Sequence, residues 1–254
     1  MYPVICRIGP FTLYSYGLMF AFASLVCLFF VVKEGKTKGI QSTIFFDIFF
    51  WTLISAIVGA RLLYILTNLN LYLAEPKEIL NIHHGGQSWF GGFVFGMLAA
   101  IIFIRRKGLS FFYIADIFAP YLALAQGIGR IGCFLNGCCY GRLSNSIFAI
   151  ESFSHSGARH PTQLYAFFNL ILIFVLLSAY KKRRKEIIPG EVFCLYLILY
   201  GINRFIVEFF RADTISTPIL TLSLFQIFSI IWILSAVIAY LILKTKHYNG
   251  KARV

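Results

Sequence analysis

Seven mostly apolar stretches, at about 11 to 32, 44 to 66, 88 to 104, 110 to 129, 163 to 180, 192 to 210 and 219 to 243, divide this chain of 254 residues. A helix crossing the hydrocarbon core of a bilayer needs about 20 such residues. A backbone in lipid must also satisfy its own hydrogen bonds, which leaves helices as the fold for segments of this kind. Hydrophobic residues make up 59% of the chain and charged residues 13%, whereas soluble domains are about 45 to 50% apolar. The sequence therefore excludes a soluble globular enzyme. It predicts an all-α polytopic membrane protein, a single integral domain over 1–254 with a small outer-face segment at about 130–162. The first apolar run is long and preceded by only one side-chain charge, Arg7, so a cleavable signal is not expected.

A net charge of +13 would suggest nucleic acid in a soluble protein, but here it divides by loop. The segments 33–38, 105–107, 181–185 and 244–253 hold fifteen of the 23 basic residues. The positive-inside rule makes that side cytoplasmic, with the N-terminus out and the C-terminus in. The remaining eight are Arg7, Arg61, Lys77, Arg130, Arg142, Arg159, Arg204 and Arg211, seven of them arginine. Retention in the membrane needs only positive charge, whereas a planar fork that grips an oxyanion is particular to arginine. These residues predict an anion site at the outer leaflet, with interface anchoring to lipid headgroups as the weaker alternative.

The stretch Gly129-Arg130-Ile131-Gly132-Cys133-Phe134-Leu135-Asn136-Gly137-Cys138-Cys139-Tyr140-Gly141-Arg142 carries the densest chemistry. Glycines let a backbone turn sharply or approach a ligand, and arginines present donors to phosphate or carboxylate oxygens. A helix cap followed by interface arginines is the simpler reading of the same residues. Arg159, His160 and Gln163 stand around Pro161 at the start of the fifth span, where free N–H groups and the helix dipole favour anions. In the sixth span Tyr200, Arg204 and Glu208 share one helical face, with Arg211 a turn beyond. An arginine inside a span needs water, an anion or a partner, and Glu208 is the obvious ion-pair partner.

Other features invite simpler explanations. Tyr14 is an interface anchor, while Tyr16 beside Gly17 could face a cavity. Gly92 and Gly96 form a small-xxx-small face, and helix packing accounts for them. Gly85, Gly86 and Gly91 crowd the same end without that explanation. His83 and His84 lack partner ligands at usable spacing, and Asp116 lies on the inner half, where a structural role is expected. Leu69, Leu71, Tyr72 and Leu73 suggest a short interfacial stretch before Glu75 and Pro76. Of the six cysteines, Cys133, Cys138 and Cys139 are read first as small buried residues, second as an outer-face disulfide and third as a zinc site with His155 or His160. No fourth ligand stands at regular spacing, so no metal is expected.

Taken together, these motifs resemble the prolipoprotein diacylglyceryl transferase family, bacterial inner-membrane enzymes. The resemblance rests on Ile8-Gly9-Pro10-Phe11 with Tyr16-Gly17, on Gly85 to Gly92, on Gly129 to Arg142, on Arg159 to Tyr165 and on Tyr200 to Arg211. It implies transfer of the sn-1,2-diacylglyceryl group from phosphatidylglycerol to the lipobox cysteine of preprolipoproteins, giving a thioether and glycerol phosphate. The implied setting is the cytoplasmic (inner) membrane with the site toward the outer leaflet, and neither a cofactor nor nucleic acid is implied. By motif match the phosphate-binding and catalytic arginines are Arg130 and Arg204, and other functional positions are Tyr16, Gly91, Gly92, Tyr200, Glu208 and Arg211. His160 joins the catalytic candidates, and Arg61, Asn136, Gly141, Arg142, Arg159 and Gln163 the substrate-binding ones.

The chain departs from the family pattern at four places: Phe90 stands where many members have histidine, Cys133 where they have asparagine, and Cys138 and Ala166 where they have acidic residues. A related transferase with another acceptor, or an anion or lipid transporter, are the rival readings.

Overall fold

The computed structural model describes residues 2–9, 11–74, 76–79, 86–152, 155–184, 186–214 and 222–251. Glu75, His83, His84, Gly85, Lys185 and Arg253 lie outside the described residues, and so does the side chain of His155. The structure is predominantly helical: α1 (Ser15–Thr37), α2 (Ser42–Thr67), α3 (Leu69–Ala74), a 3-10 turn at Pro76–Ile79, α4 (Trp89–Arg106), α5 (Phe111–Asn136), α6 (Thr162–Arg183), α7 (Glu191–Glu208) and α8 (Leu224–Lys251). Among the described residues α1, α2, α4, α5, α6 and α8 are long and apolar enough to cross a membrane. Helix α7 occupies the sixth apolar stretch, but its 18 residues include Glu191, Arg204 and Glu208.

Two short antiparallel hairpins accompany the helices, β1 (Val4–Ile8) with β2 (Phe11–Tyr14) and β3 (Ile150–Ser152) with β4 (His155–Arg159). The all-α expectation missed both. The first hairpin also moves the start of the first long helix from 11 to Ser15. Gly9, at φ +58, supplies the turn, and Ser15 donates its N–H to the Pro3 carbonyl at 2.9 Å, so the strand residues enter the helix only after pairing. Helix α5 runs seven residues past the expected end at 129, because the first half of the Gly129 stretch is helical.

Residues 1–31 and 115–254 form one compact unit, and residues 32–114 form another. In the smaller unit α2 and α4 lie in direct backbone approach. A Cβ at Gly91 would collide with the Gly59 carbonyl and sit 2.7 Å from the Leu63 Cβ, while Gly92 and Gly96 face Ala56 and, respectively, Ala60 and Thr52. Without a strong hydrophobic drive between helices in lipid, such close approach is the main source of their association.

In the larger unit the core joins three helices: Ala119 and Ala123 of α5, Leu170, Ile173 and Leu177 of α6, and Val192 and Tyr196 of α7. Asp116, buried in α5, accepts hydrogen bonds from the N–H groups of Gly190 (2.7 Å) and Phe193 (2.8 Å) at the start of α7. A carboxylate there satisfies donors that the helix leaves open and complements its dipole. Asp116→Ala is expected to destabilise the fold by about 2 to 3 kcal/mol, since two donors lose their acceptor in a dry setting. Thermal unfolding in detergent measures this, and Asp116→Asn, which keeps one acceptor oxygen, is expected to lose less.

Candidate active site

The Gly129–Arg142 stretch changes character at Gly137. Its first half completes α5, and Gly132 lets that helix press on α1: a Cβ there would lie 2.9 Å from the Met19 Cβ and 3.5 Å from the Tyr16 Cα. Gly137, at φ +75, then closes the helix. Its N–H bonds to the Phe134 carbonyl, and the Cys138 N–H reaches back to the Cys133 carbonyl at 3.2 Å. This pair of bonds is a Schellman cap. The simpler, cap reading of this glycine is thus part of the structure. The next residue, Cys139, keeps the left-handed backbone at φ +59, which costs a non-glycine residue about 1 to 2 kcal/mol.

Beyond the cap the backbone is tied on both sides. The Gly141 N–H bonds to the His160 carbonyl (3.1 Å), His160 returns its N–H to Arg142 (3.1 Å), and Ser144 bonds to Ala158 (2.9 Å). On the other side the Arg142 N–H bonds to Phe210 (2.8 Å) and the Ala212 N–H to Tyr140 (3.2 Å). Side chains reinforce the knot. Thr162 and Gln163, at the start of α6, each donate at 2.7 Å to the carbonyls of Cys139 and Cys138, and Arg142 Nε donates to the Arg211 carbonyl at 3.0 Å. Arg159 stacks over Tyr140 and donates to Gly141, and its buried Nε has no hydrogen-bond partner among the described residues. The three arginine-bearing motifs are thereby joined by main chain.

Into this frame α7 delivers its charged face. Glu208, 1% exposed, places Oε2 3.1 Å from Arg204 Nη2 and 3.8 Å from Arg211 Nε, while its Oε1 accepts from the Ser223 hydroxyl at 3.2 Å. Neither arginine contact has hydrogen-bond geometry at Oε2. Arg204 is otherwise held by the Phe225 ring, 4.5 Å from its guanidinium carbon. Arg211 forks onto Asp213 at 2.9 and 2.7 Å. Burial opposes the Arg211 charge most strongly, but the Asp213 hydrogen bonds together with the negative charges of Cys139, Asp213 and Glu208 outweigh it and hold the guanidinium above its ordinary range. Arg204 lies within electrostatic reach of Arg211, Arg130 and Tyr200. No carboxylate is paired with Arg130 among the described residues.

The sequence-predicted residues thus divide. Arg204 and Arg211 flank Glu208, and Arg130 and Tyr200 lie within electrostatic reach of Arg204. Gly141, Arg142, Arg159, His160 and Gln163 belong to the knot, Asn136 ends α5 just before the cap, and Tyr16 lies within electrostatic reach of Arg130 and of the three thiols. His160 Nδ1 is 3.1 Å from the Tyr165 hydroxyl, and its ring packs on Phe210 at 5.2 Å. Arg61, Gly91 and Gly92 belong to the smaller unit, where Arg61 donates to the carbonyls of Gly86 and Ile79 and stacks over Tyr72. Phe90 is exposed, and Ala166 is buried within α6. Asp213, Ser223 and Phe225 escaped sequence reasoning, and Tyr165 and Phe210 entered it only as members of the Arg159 and Tyr200 motifs, without roles of their own. Of the first three, only Asp213, two residues from Arg211, carried a local signal.

The sulfur atoms of Cys133, Cys138 and Cys139 all lie within 4.8 Å of one another, and all three cysteines are free. Asn136 is in hydrogen-bonding reach of the Cys138 thiol. Hydrogen bonds from Cys133 and Cys138, followed by the charges of Arg211 and Arg130, hold the Cys139 thiol below the usual thiol range. A separate groove lined by Arg184, Ile187, Glu191, Tyr240 and Lys244 sits at the opposite end of α7, about 25 Å away along an 18-residue helix, and holds none of these residues.

Fold and site together define a polytopic helical membrane protein that gathers guanidinium groups and thiols at one end of its helices. The chain belongs to the prolipoprotein diacylglyceryl transferase family, whose profile matches residues 3–242. It is similar to proteins named phosphatidylglycerol–prolipoprotein diacylglyceryl transferase in several bacteria. That of Clostridium tetani is 35% identical over 219 aligned positions, covering 84% of this chain and 86% of the relative. That of Limosilactobacillus reuteri is 31% identical over 262 positions, covering 98% and 94%. That of Bordetella avium is 36% identical over 217 positions, covering 82% and 81%.

Proposed function

We propose that this chain transfers the sn-1,2-diacylglyceryl group of phosphatidylglycerol to the lipobox cysteine thiol of preprolipoproteins. The observation that carries the reading is the pairing of Arg204 and Arg211 with Glu208, with Arg130 within electrostatic reach of Arg204, in a chain of this family. The thiol sulfur attacks the glycerol carbon next to the phosphate. The carbon–oxygen bond breaks onto the phosphate, and glycerol phosphate leaves with one more negative charge than the diester carried. Donors fixed where that charge develops lower the barrier more than they tighten ground-state binding. Arg130 and Arg204 take the phosphate oxygens, Glu208 orients Arg204 and Arg211, and Tyr200 lines the same face. Tyr16 borders the acceptor side. Gly141, Asn136, Arg142, Arg159 and Gln163 hold the frame, and Arg61, Gly91 and Gly92 contribute to lipid binding by shaping the α2–α4 pair.

In this reading α7 is a seventh span in a single membrane domain of the bacterial inner membrane, and the positive-inside pattern supports the odd count. The N-terminus is out, the C-terminus in, and the charged group faces the outer leaflet. Incubating purified protein with phosphatidylglycerol and a lipobox peptide tests the reaction by mass spectrometry. A peptide carrying the diacylglyceryl mass on its cysteine is expected; an unmodified peptide under conditions where both substrates bind overturns the reading.

The proton needs no dedicated imidazole. A free cysteine thiol ionises near pH 8.5, and positive charge favours its thiolate. The rate is expected to rise with pH along one thiol ionisation displaced below about 8.5, and His160→Ala to keep that profile at a level reduced severalfold. Loss of turnover at every pH in that variant, with substrate binding intact, shows instead that His160 is a required base.

A further inference from the structure

The three-thiol cluster is not used by the reaction as just described, yet it is built with care. The Schellman cap folds Cys138 back over Cys133, and the left-handed backbone at Cys139 turns the neighbouring thiol toward both. Three thiols cannot be consumed by pairwise disulfide formation, and two of them are sequence neighbours. In a tetrahedral zinc–thiolate site with a metal–sulfur distance of about 2.3 Å, sulfurs stand about 3.8 Å apart. Small side-chain rotations bring sulfurs within 4.8 Å to that spacing. The anionic site that results has Arg130 and Arg211 within electrostatic reach of it. The absence of a regular fourth ligand argues against a closed structural site, but three protein ligands and one open position is the pattern of catalytic zinc.

We propose that Cys133, Cys138 and Cys139 bind one zinc ion whose fourth position takes the acceptor cysteine thiol. This rests on the diacylglyceryl-transfer reading. On binding, the acceptor releases its proton to solvent and becomes a zinc-bound thiolate, since a coordinating thiol is deprotonated outright. Its sulfur forms the carbon–sulfur bond as the carbon–oxygen bond of phosphatidylglycerol breaks, and the bonding pair leaves on glycerol phosphate. The product thioether is uncharged and gives up the metal. One proton is released per turnover, and the zinc keeps its oxidation state.

Cobalt(II) replaces zinc as a visible probe. Full-length protein in detergent, reduced and loaded with one equivalent of cobalt, is expected to show sulfur-to-metal charge-transfer absorption and the intense visible bands of a tetrahedral site. A lipobox peptide should shift the visible bands, and the same peptide with serine in place of cysteine should not. Zinc measured in the protein as purified is expected near one per chain and more than tenfold lower in Cys139→Ser, with thermal unfolding confirming that the variant is folded. Absence of the tetrahedral cobalt spectrum in wild-type protein that transfers diacylglyceryl overturns the metal site and leaves the reaction standing. So does a disulfide within the cluster in active protein. A cobalt spectrum unmoved by the cysteine peptide overturns the open position. A spectrum that responds to the peptide in protein unable to form the thioether upholds the metal site and sinks the transfer reading instead.

Discussion

Arg204→Lys is expected to lower turnover by about a hundredfold or more, the scale seen when one preorganised donor to a developing oxyanion is lost. The positive charge near Glu208 persists, so the 3.1 Å ion pair re-forms and α7 stays folded. What disappears is the planar fork, which offers a phosphate two parallel donors that an ammonium cannot. Because Glu208 Oε2 is held by charge without hydrogen-bond geometry, the guanidinium is not saturated by its protein partner. Turnover of the peptide at saturating lipid, with unfolding temperature as the control, is the measurement. Near-normal turnover would mean that Arg204 serves the ion pair alone.

Gly141→Ala is expected to be as damaging, for a reason that involves no charge. A Cβ at this position collides with the His160 carbonyl and comes within 2.9 Å of the Phe210 carbonyl. Both are main-chain atoms of the knot and cannot rotate away, so the two sides must separate and their hydrogen bonds lengthen. Destabilisation of about 3 kcal/mol follows from overpacking of this kind, and activity should drop even in protein that remains folded. Gly129→Ala is the control, since nothing lies within 4 Å of a Cβ there. Equal behaviour of the two variants in thermal unfolding and turnover would remove the knot from the account.

Much of the architecture was written in local patterns. Apolar runs located the long helices, though the ends of α1, α5 and α8 lie five to eight residues beyond the expected ones; the face shared by Tyr200, Arg204 and Glu208 followed from helical periodicity, and Asp116 had a structural role foreseen if not its partner. What stayed hidden depends on pairing between distant segments. The strand-like contacts of 140–144 with 158–160 and 210–212 involve few residues and no alternating pattern, so no periodicity announced them. The thiol cluster was hidden for a different reason. A spacing of five and then one matches no regular element, and only a capped helix followed by a left-handed cysteine brings the three sulfurs together.

The knot ties its segments through amide and carbonyl groups, which every residue except proline carries. Apart from Gly141, Thr162 and Gln163, whose size or side-chain bonds the knot uses, placement of the chemistry depends little on which side chains hang from it. A sequence can exchange an asparagine for Cys133, or an acidic residue for Cys138, without relocating Arg130 or Arg211. On the proposed assignment, such a scaffold lets the thiol side of the reaction drift while the arginine side stays put, and one framework can thereby try new ways of activating a nucleophile.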